Sequence, residues 1–186
     1  MTYKHFDIAV NTGLLVWALT LTVTICAGWL DWRTRKIPNW LTVSGFVAGL
    51  GVHTIIGGWH GALASLEGAG LALLVLLPLV LLRGLGAGDW KLMGAVGALL
   101  GPWGLLAFLF VSIMVTGVMA AATVIYTRRV VVTLKNMAMV IQGFFVFGWR
   151  GNPQMTLENP GLLKVPFGVA AALTAVICFV ISRCAR

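Results

Sequence analysis

Two isolated carboxylates, Asp31 and Asp89, are the residues of this sequence best placed to do chemistry. The chain has only 5 acidic residues, and these two each stand where a long apolar stretch meets a short polar turn. Two carboxyl groups held close together share one proton, because both cannot ionise cheaply. The ionised member can then take a proton from water while the protonated member polarises a carbonyl oxygen. Such a pair hydrolyses a peptide bond without a metal or a covalent intermediate.

The sequence gives no comparable support to other catalytic chemistries. Neither paired cysteines nor a ligand-spaced cluster is found among the three cysteines and three histidines, which are Cys26, Cys178, Cys184, His5, His53 and His60. This spacing favours neither a disulfide framework nor a zinc site. No serine–histidine or cysteine–histidine pair is predicted to lie at the same depth along the apolar stretches. We therefore expect no metal and no cofactor.

The composition indicates that these carboxylates belong to a membrane protein. Hydrophobic residues make up 60% of the 186 residues, charged residues make up 10%, and the mean hydropathy is +0.98. A soluble domain carries about 25% charged residues, so this chain cannot cover itself with a polar surface. Its apolar runs reach the roughly 20 residues that span a bilayer, and such spans are helical. The predicted fold class is therefore all-α, a polytopic membrane helix bundle.

The pattern of apolar runs predicts about six transmembrane helices in one domain, residues 1–186. Glycine-rich turns follow residue 56 and residue 82, and Gly101-Pro102 cuts the apolar stretch that begins at Trp90. The predicted helices cover residues 8–30, 38–56, 62–82, 90–100, 103–126 and 166–181. Pro38 and Pro166 would occupy first helical positions, where a missing N–H is tolerated. A cytoplasmic or interfacial connection, residues 127–164, precedes the last helix.

The basic residues predict the orientation of the bundle. The formal net charge is +8, and the excess lies between apolar runs, as in cytoplasmic loops, which does not suggest nucleic-acid binding. The turns after the first, third and fifth helices hold most of the basic residues, namely Arg33, Arg35, Lys36, Arg83, Lys91, Arg128, Arg129, Lys135, Arg150 and Lys164. These turns are predicted to be cytoplasmic. An even number of crossings separates Asp31 from Asp89, so both should return to the cytoplasmic face.

Two features leave alternatives open. Residues 130–149 are apolar enough for a seventh crossing, but interrupting polar residues favour a segment along the membrane surface. A seventh crossing would move Arg183 and Arg186 from the outer to the cytoplasmic side. Each aspartate also has a plain structural interpretation: Asp89 could cap a helix, and Asp31 could pair with a nearby arginine at the interface.

Three stretches of the sequence resemble the prepilin peptidases, the membrane aspartic proteases of the type IV leader peptidase family. DWRTRKIPNWLT, residues 31–42, is similar to the family's aspartate followed by basic residues and Ile-Pro-Asn. GAGDWKL, residues 86–92, is similar to its Gly-x-Gly-Asp-x-Lys-Leu motif. VPFG, residues 165–168, is similar to the Pro-aromatic-Gly that starts its last helix. The three occur in the family's order on one predicted face.

The resemblance implies a catalytic pair, Asp31 and Asp89, in a membrane aspartic endopeptidase. It also implies a set of substrate-binding or site-shaping residues, namely Gly86, Gly88, Lys91, Pro38, Asn39, Pro166 and Gly168. Lys91 could equally anchor the chain at the interface, and the prolines, Asn39 and Gly168 could simply begin helices. The implied localisation is the bacterial inner membrane, with the active site at its cytoplasmic face.

The implied partners are the lipid bilayer and a prepilin or pseudopilin with a basic leader, a glycine and then an apolar helix. The substrate helix would lie laterally against the bundle, and cleavage would follow the glycine. Long family members carry a cysteine-containing insertion that N-methylates the product. This chain lacks the insertion, so it resembles the short, peptidase-only form of Flp (tight-adherence) pilus systems.

Three other functions fit parts of the sequence. A small transporter coupled to protons or a cation could use Asp31 and Asp89, although both lie near one face and no inverted repeat is visible. A structural subunit of a secretion machine would tolerate Asp→Asn at both positions. A related intramembrane protease with other substrates is the closest alternative. Residues 130–149 are also a candidate surface lid for a peptidase.

Overall fold

Four α-helices form the part of the protein that the structure describes. The structure, a computed structural model, describes residues 2–81, 84–127 and 167–184, with side chains from residue 13 onward. The helices are α1, Thr2–Thr34; α2, Asn39–Leu81; α3, Ala87–Tyr126; and α4, Phe167–Cys184. No strand occurs within these residues, which confirms the predicted all-α class. All four helices are long and apolar enough to cross a membrane.

Helices α2 and α3 are each interrupted once, at a glycine. At 43 and 40 residues, either helix would be about 60 Å long if straight, twice the thickness of a bilayer core. Gly58 breaks α2 with φ 56° and ψ −138°, and Gly101 breaks α3 with φ 70° and ψ 179°. Glycine adopts positive φ without the steric cost that other residues incur. Both breaks fall within turns that the sequence predicted.

Contacts with α3 show that α2 reverses direction at Gly58. Along the first half of α2, later residues contact later residues of α3, whereas along the second half the order is inverted. The contacting pairs are Gly45 with Ala95, Gly49 with Ala98, Gly68 with Gly97 and Leu73 with Gly94. The two halves of α2 therefore run antiparallel to each other and both pack on the first half of α3. Residues 92–99 of α3 are all buried as a result.

Side chains from both halves of α2 bind the backbone next to the break in α3. Pro102 has no N–H, so the carbonyl of Ala98 lacks its usual helical donor. The hydroxyl of Ser65 donates to that carbonyl over 2.8 Å. Nε2 of His53 lies 2.8 Å from the carbonyl oxygen of Leu99 and donates to it. These bonds offset the several kcal/mol that an unpaired backbone group costs in hydrocarbon.

Several predicted boundaries were wrong, mostly because packed helices extend further than the apolar pattern does. Helix α1 ends at Thr34, not residue 30, so Asp31 lies inside its last turn. Helix α3 starts at Ala87, not residue 90, so Asp89 lies inside its first turn. Helix α4, described from Phe167, ends at Cys184 and not at residue 181. Four helices able to cross the membrane do not confirm the count of about six crossings. Pro166 and residues 128–164, including the predicted surface segment 130–149, lie outside the described residues.

Candidate active site

Asp31 is a buried carboxylate that binds the start of the last helix. Its side chain is 8% exposed, and its Oδ2 accepts a hydrogen bond from the backbone N–H of Gly168 over 2.9 Å. Gly168 is the second residue of α4, where backbone N–H groups have no partner within the helix. The positive end of the α4 dipole therefore offsets the unfavourable position of a carboxylate at the C-terminal end of α1.

Gly168 brings α4 into direct contact with Asp31. A Cβ at position 168 would lie 2.8 Å from the Asp31 Cβ and 3.1 Å from the Ala27 carbonyl oxygen. A Cβ at Gly28 would in turn lie 3.0 Å from the carbonyl oxygen of Gly168. The two helices can approach this closely only because both positions lack a side chain. Gly168 therefore shapes the surroundings of Asp31 directly.

Asp89 lies in the first turn of α3 and reaches back to its start. The N-cap residue is Gly86, which supplies no side-chain cap, and the Asp89 carboxylate accepts a hydrogen bond from the Gly86 backbone. This is the return bond of a capping box, made by the third residue of the helix. A Cβ at position 86 would lie 2.9 Å from Oδ2 of Asp89. Asp89 therefore caps the helix from a position within its first turn, and glycine at position 86 leaves room for the Asp89 carboxylate.

The structure brings Asp31 and Asp89 together. The two carboxylates are close enough to repel each other electrostatically, although 58 positions separate them in the chain. Asp31 is buried and Asp89 is half-buried. Two carboxyl groups placed near each other are chemically able to act as a general acid and a general base.

Four further predicted site residues lie where the two aspartate-bearing segments meet, namely Lys91, Asn39, Gly88 and Pro38. Nζ of Lys91 donates a hydrogen bond to Oδ1 of Asn39 over 3.0 Å. A Cβ at Gly88 would lie 3.3 Å from the Ile37 Cβ. Pro38 immediately precedes α2, which starts at Asn39 and not at the proline as predicted. The carbonyl oxygen of Pro38 accepts a hydrogen bond from the backbone N–H of Leu41.

Sequence reasoning missed the small residues of α1 that form the other wall of the site. Ala27 and Gly28 lie one turn before Asp31 and contact Gly168. Small residues spaced three or four positions from a membrane carboxylate are a usable signal, because they allow another helix to approach closely.

An apolar recess of about 400 Å³ runs between α1 and α4 beside Asp31. Small residues, Gly28 and Ala172, contribute to its lining, and Trp32 at its end is the neighbour of Asp31 in the chain. On both helices the lining residues recur at i, i+3, i+4 and i+7, which is one continuous helix face. They are Ile25, Gly28, Trp29, Trp32, Val169, Ala172, Leu173 and Val176.

In the part of the chain that the structure describes, no group of three or more His, Cys, Asp or Glu residues could hold a metal ion.

Comparison with known proteins identifies the family. The model of the type IV leader peptidase family matches residues 18–121, which is more than half of the 186-residue chain. The chain belongs to the type IV leader peptidase family. It is therefore a membrane peptidase, and its family acts on prepilin substrates. The matched segment contains both aspartates and the site residues of α2 and α3, but not Pro166 or Gly168. Neither a curated protein nor a solved structure matched the chain.

Proposed function

We propose that this membrane peptidase is an aspartic endopeptidase that removes the basic leader from type IV prepilin-like proteins. The observation that supports the proposal is that Asp31, which is buried, and Asp89, which is half-buried, lie near enough to interact electrostatically. One carboxylate takes a proton from water as that water attacks the scissile carbonyl, and the protonated partner stabilises the developing oxyanion. The proton taken from water then passes to the leaving amine as the C–N bond breaks.

The proposed substrate path places the apolar helix of the prepilin in the recess between α1 and α4. The recess is long, apolar and open on one side, and it ends at the residue next to Asp31. A helix lying there would bring its end, and the glycine before it, to the aspartate pair. Its small lining residues suit close helix packing in lipid. The basic leader would then project beyond the membrane surface.

We further propose that the site faces the cytoplasm at the bacterial inner membrane. Exposed Arg33, Lys36 and Lys91 lie around the aspartates, as expected for a cytoplasmic face. In this arrangement α2 and α3 each cross the membrane twice, with their breaks at Gly58 and Gly101, and the described helices make six crossings in total. The chain then acts as one domain, the peptidase-only form that serves Flp-type pili, without methyl transfer.

Co-expression with an Flp-type prepilin tests the proposed reaction. The expected product is shorter by the leader, begins immediately after the glycine and carries an unmodified N-terminal amine. A gel shift followed by mass determination of the new N-terminus measures all three properties. Cleavage at another bond would contradict the assigned substrate class. Proton or cation flux through reconstituted vesicles, without cleavage, would favour the transporter alternative.

Site-specific photocrosslinking tests the proposed recess. A photoreactive phenylalanine analogue replaces Trp29 in the Asp31→Asn variant, which should hold an uncleaved prepilin. We expect a crosslink to the apolar helix of the prepilin, because Trp29 lines the recess. Ile113 on α3 is the matched control, since both side chains are 63% exposed, and it should crosslink to lipid only. Equal crosslinking of prepilin from both positions would refute the recess as its docking site.

A further inference from the structure

A hydrogen bond joins the two chain segments that carry the aspartates. Nζ of Lys91 donates to Oδ1 of Asn39 over 3.0 Å, a normal length for such a bond. Asn39 is the first residue of α2 and follows Asp31 by eight positions. Lys91 follows Asp89 by two positions in the first turns of α3. The bond therefore links the start of α2 to the start of α3.

Other hydrogen bonds lie in the two segments that connect this link to the aspartates. Between Asp31 and Asn39, the Arg35 N–H donates to the Asp31 carbonyl over 2.9 Å, and the Thr34 hydroxyl donates to the Lys36 carbonyl over 3.0 Å. Beside Lys91, Nε1 of Trp90 donates to the Leu73 carbonyl over 2.8 Å. These bonds therefore restrain part of each segment between the link and its aspartate.

The contact next to the link leaves little free space. Gly88 lies against Ile37, and a Cβ on the glycine would be 3.3 Å from the Ile37 Cβ. The segment before Asn39 and the segment before Lys91 are thus in van der Waals contact, and the hydrogen bond closes the same junction from the exposed side. Asn39 is a neutral acceptor, so the bond positions the lysine without neutralising its charge.

We propose that Lys91 and Asn39 are positioning residues whose hydrogen bond sets the separation between Asp31 and Asp89. The inference rests on the proposed aspartic peptidase function. It differs from the two other roles open to Lys91, a cation that acts electrostatically on the aspartates and an anchor at the membrane surface. Neither of those roles requires the side chain of Asn39. A catalytic group displaced by about 1 Å can cost a factor of about 100 in rate, so a lost link of this kind should be measurable.

A double-mutant cycle on cleavage kinetics separates these roles. Asn39→Ala and Lys91→Met should each lower kcat about 10-fold with little change in KM, because neither residue lines the recess proposed for the substrate helix. The double variant should be no slower than either single one, since both remove the same bond. Lys91→Arg, which keeps a donor, should recover most of the activity. Wild-type kcat in Asn39→Ala, or a double variant about 100-fold slower, would overturn the proposal.

Disulfide formation gives a second measurement that does not depend on cleavage. In a variant whose native cysteines are replaced by serine, Ile37→Cys and Gly88→Cys place two thiols across the junction, with Cβ atoms close to disulfide spacing. Oxidation should be several-fold slower when Asn39→Ala is added. An unchanged rate would refute the positioning role. A slower rate, together with a wild-type protein that cleaves no prepilin, would keep the link and reject the proposed prepilin-cleaving function.

Discussion

Asp31→Asn and Asp89→Asn should each abolish prepilin cleavage, with kcat/KM lowered by about 10³-fold or more. Asparagine keeps the size and polarity of the side chain but can neither accept a proton from water nor hold the shared one. Its amide oxygen can still accept the Gly168 N–H that Asp31 binds, so the helix contact should survive in Asp31→Asn. The measurement is the initial rate of leader removal by each purified variant in vesicles or detergent.

Glu67→Gln is the matched control for charge removal. Glu67 is the acidic residue of α2 and is exposed, so the loss of its charge should leave cleavage at the wild-type rate. All three variants should show the same membrane insertion and thermal unfolding midpoint as the wild type. Cleavage that survives both aspartate substitutions would reject the aspartic mechanism and favour a structural role for both residues.

Gly168→Ala should lower cleavage about 100-fold while the protein still inserts in the membrane. The added methyl group would lie 2.8 Å from the Asp31 Cβ and 3.1 Å from the Ala27 backbone oxygen. Neither atom belongs to the free end of a side chain, so α4 must shift away from α1 by about 1 Å, which is enough to cost that factor in rate. Overpacking of this kind also destabilises a protein by about 1–3 kcal/mol.

Gly70→Ala is the corresponding control on α2. A Cβ at Gly70 meets nothing within 4 Å, and alanine is the better helix former by about 1 kcal/mol. This variant should therefore cleave normally and unfold at the same or a slightly higher temperature. Kinetics and thermal unfolding of the two variants, measured side by side, separate a helix-propensity effect from the clash at Asp31. Wild-type kinetics in Gly168→Ala would show that the α1–α4 contact does not position the site.

The amino-acid sequence determined the class of the protein and the places where its helices break. So few charged residues cannot cover a soluble fold, and long apolar runs in lipid can satisfy their backbone only as helices. Gly58 and Gly101 mark the interruptions because a positive φ is costly for residues with a Cβ. The candidate aspartates could also be identified from sequence, since rare carboxylates at the ends of apolar helices are costly unless they serve a purpose.

The tertiary structure alone decided how the site is assembled. The bond from Gly168 to Asp31 spans 137 positions, and no local pattern encodes a contact of that separation. The observed helix ends also differ from the predicted ones. Asp31 and Asp89 lie inside α1 and α3, because tertiary contacts continue these helices past their apolar stretches. The contribution of Ala27 depends on which helix packs against α1. Propensity and hydropathy act along the chain, whereas the separation of two carboxylates depends on how four helices pack against one another.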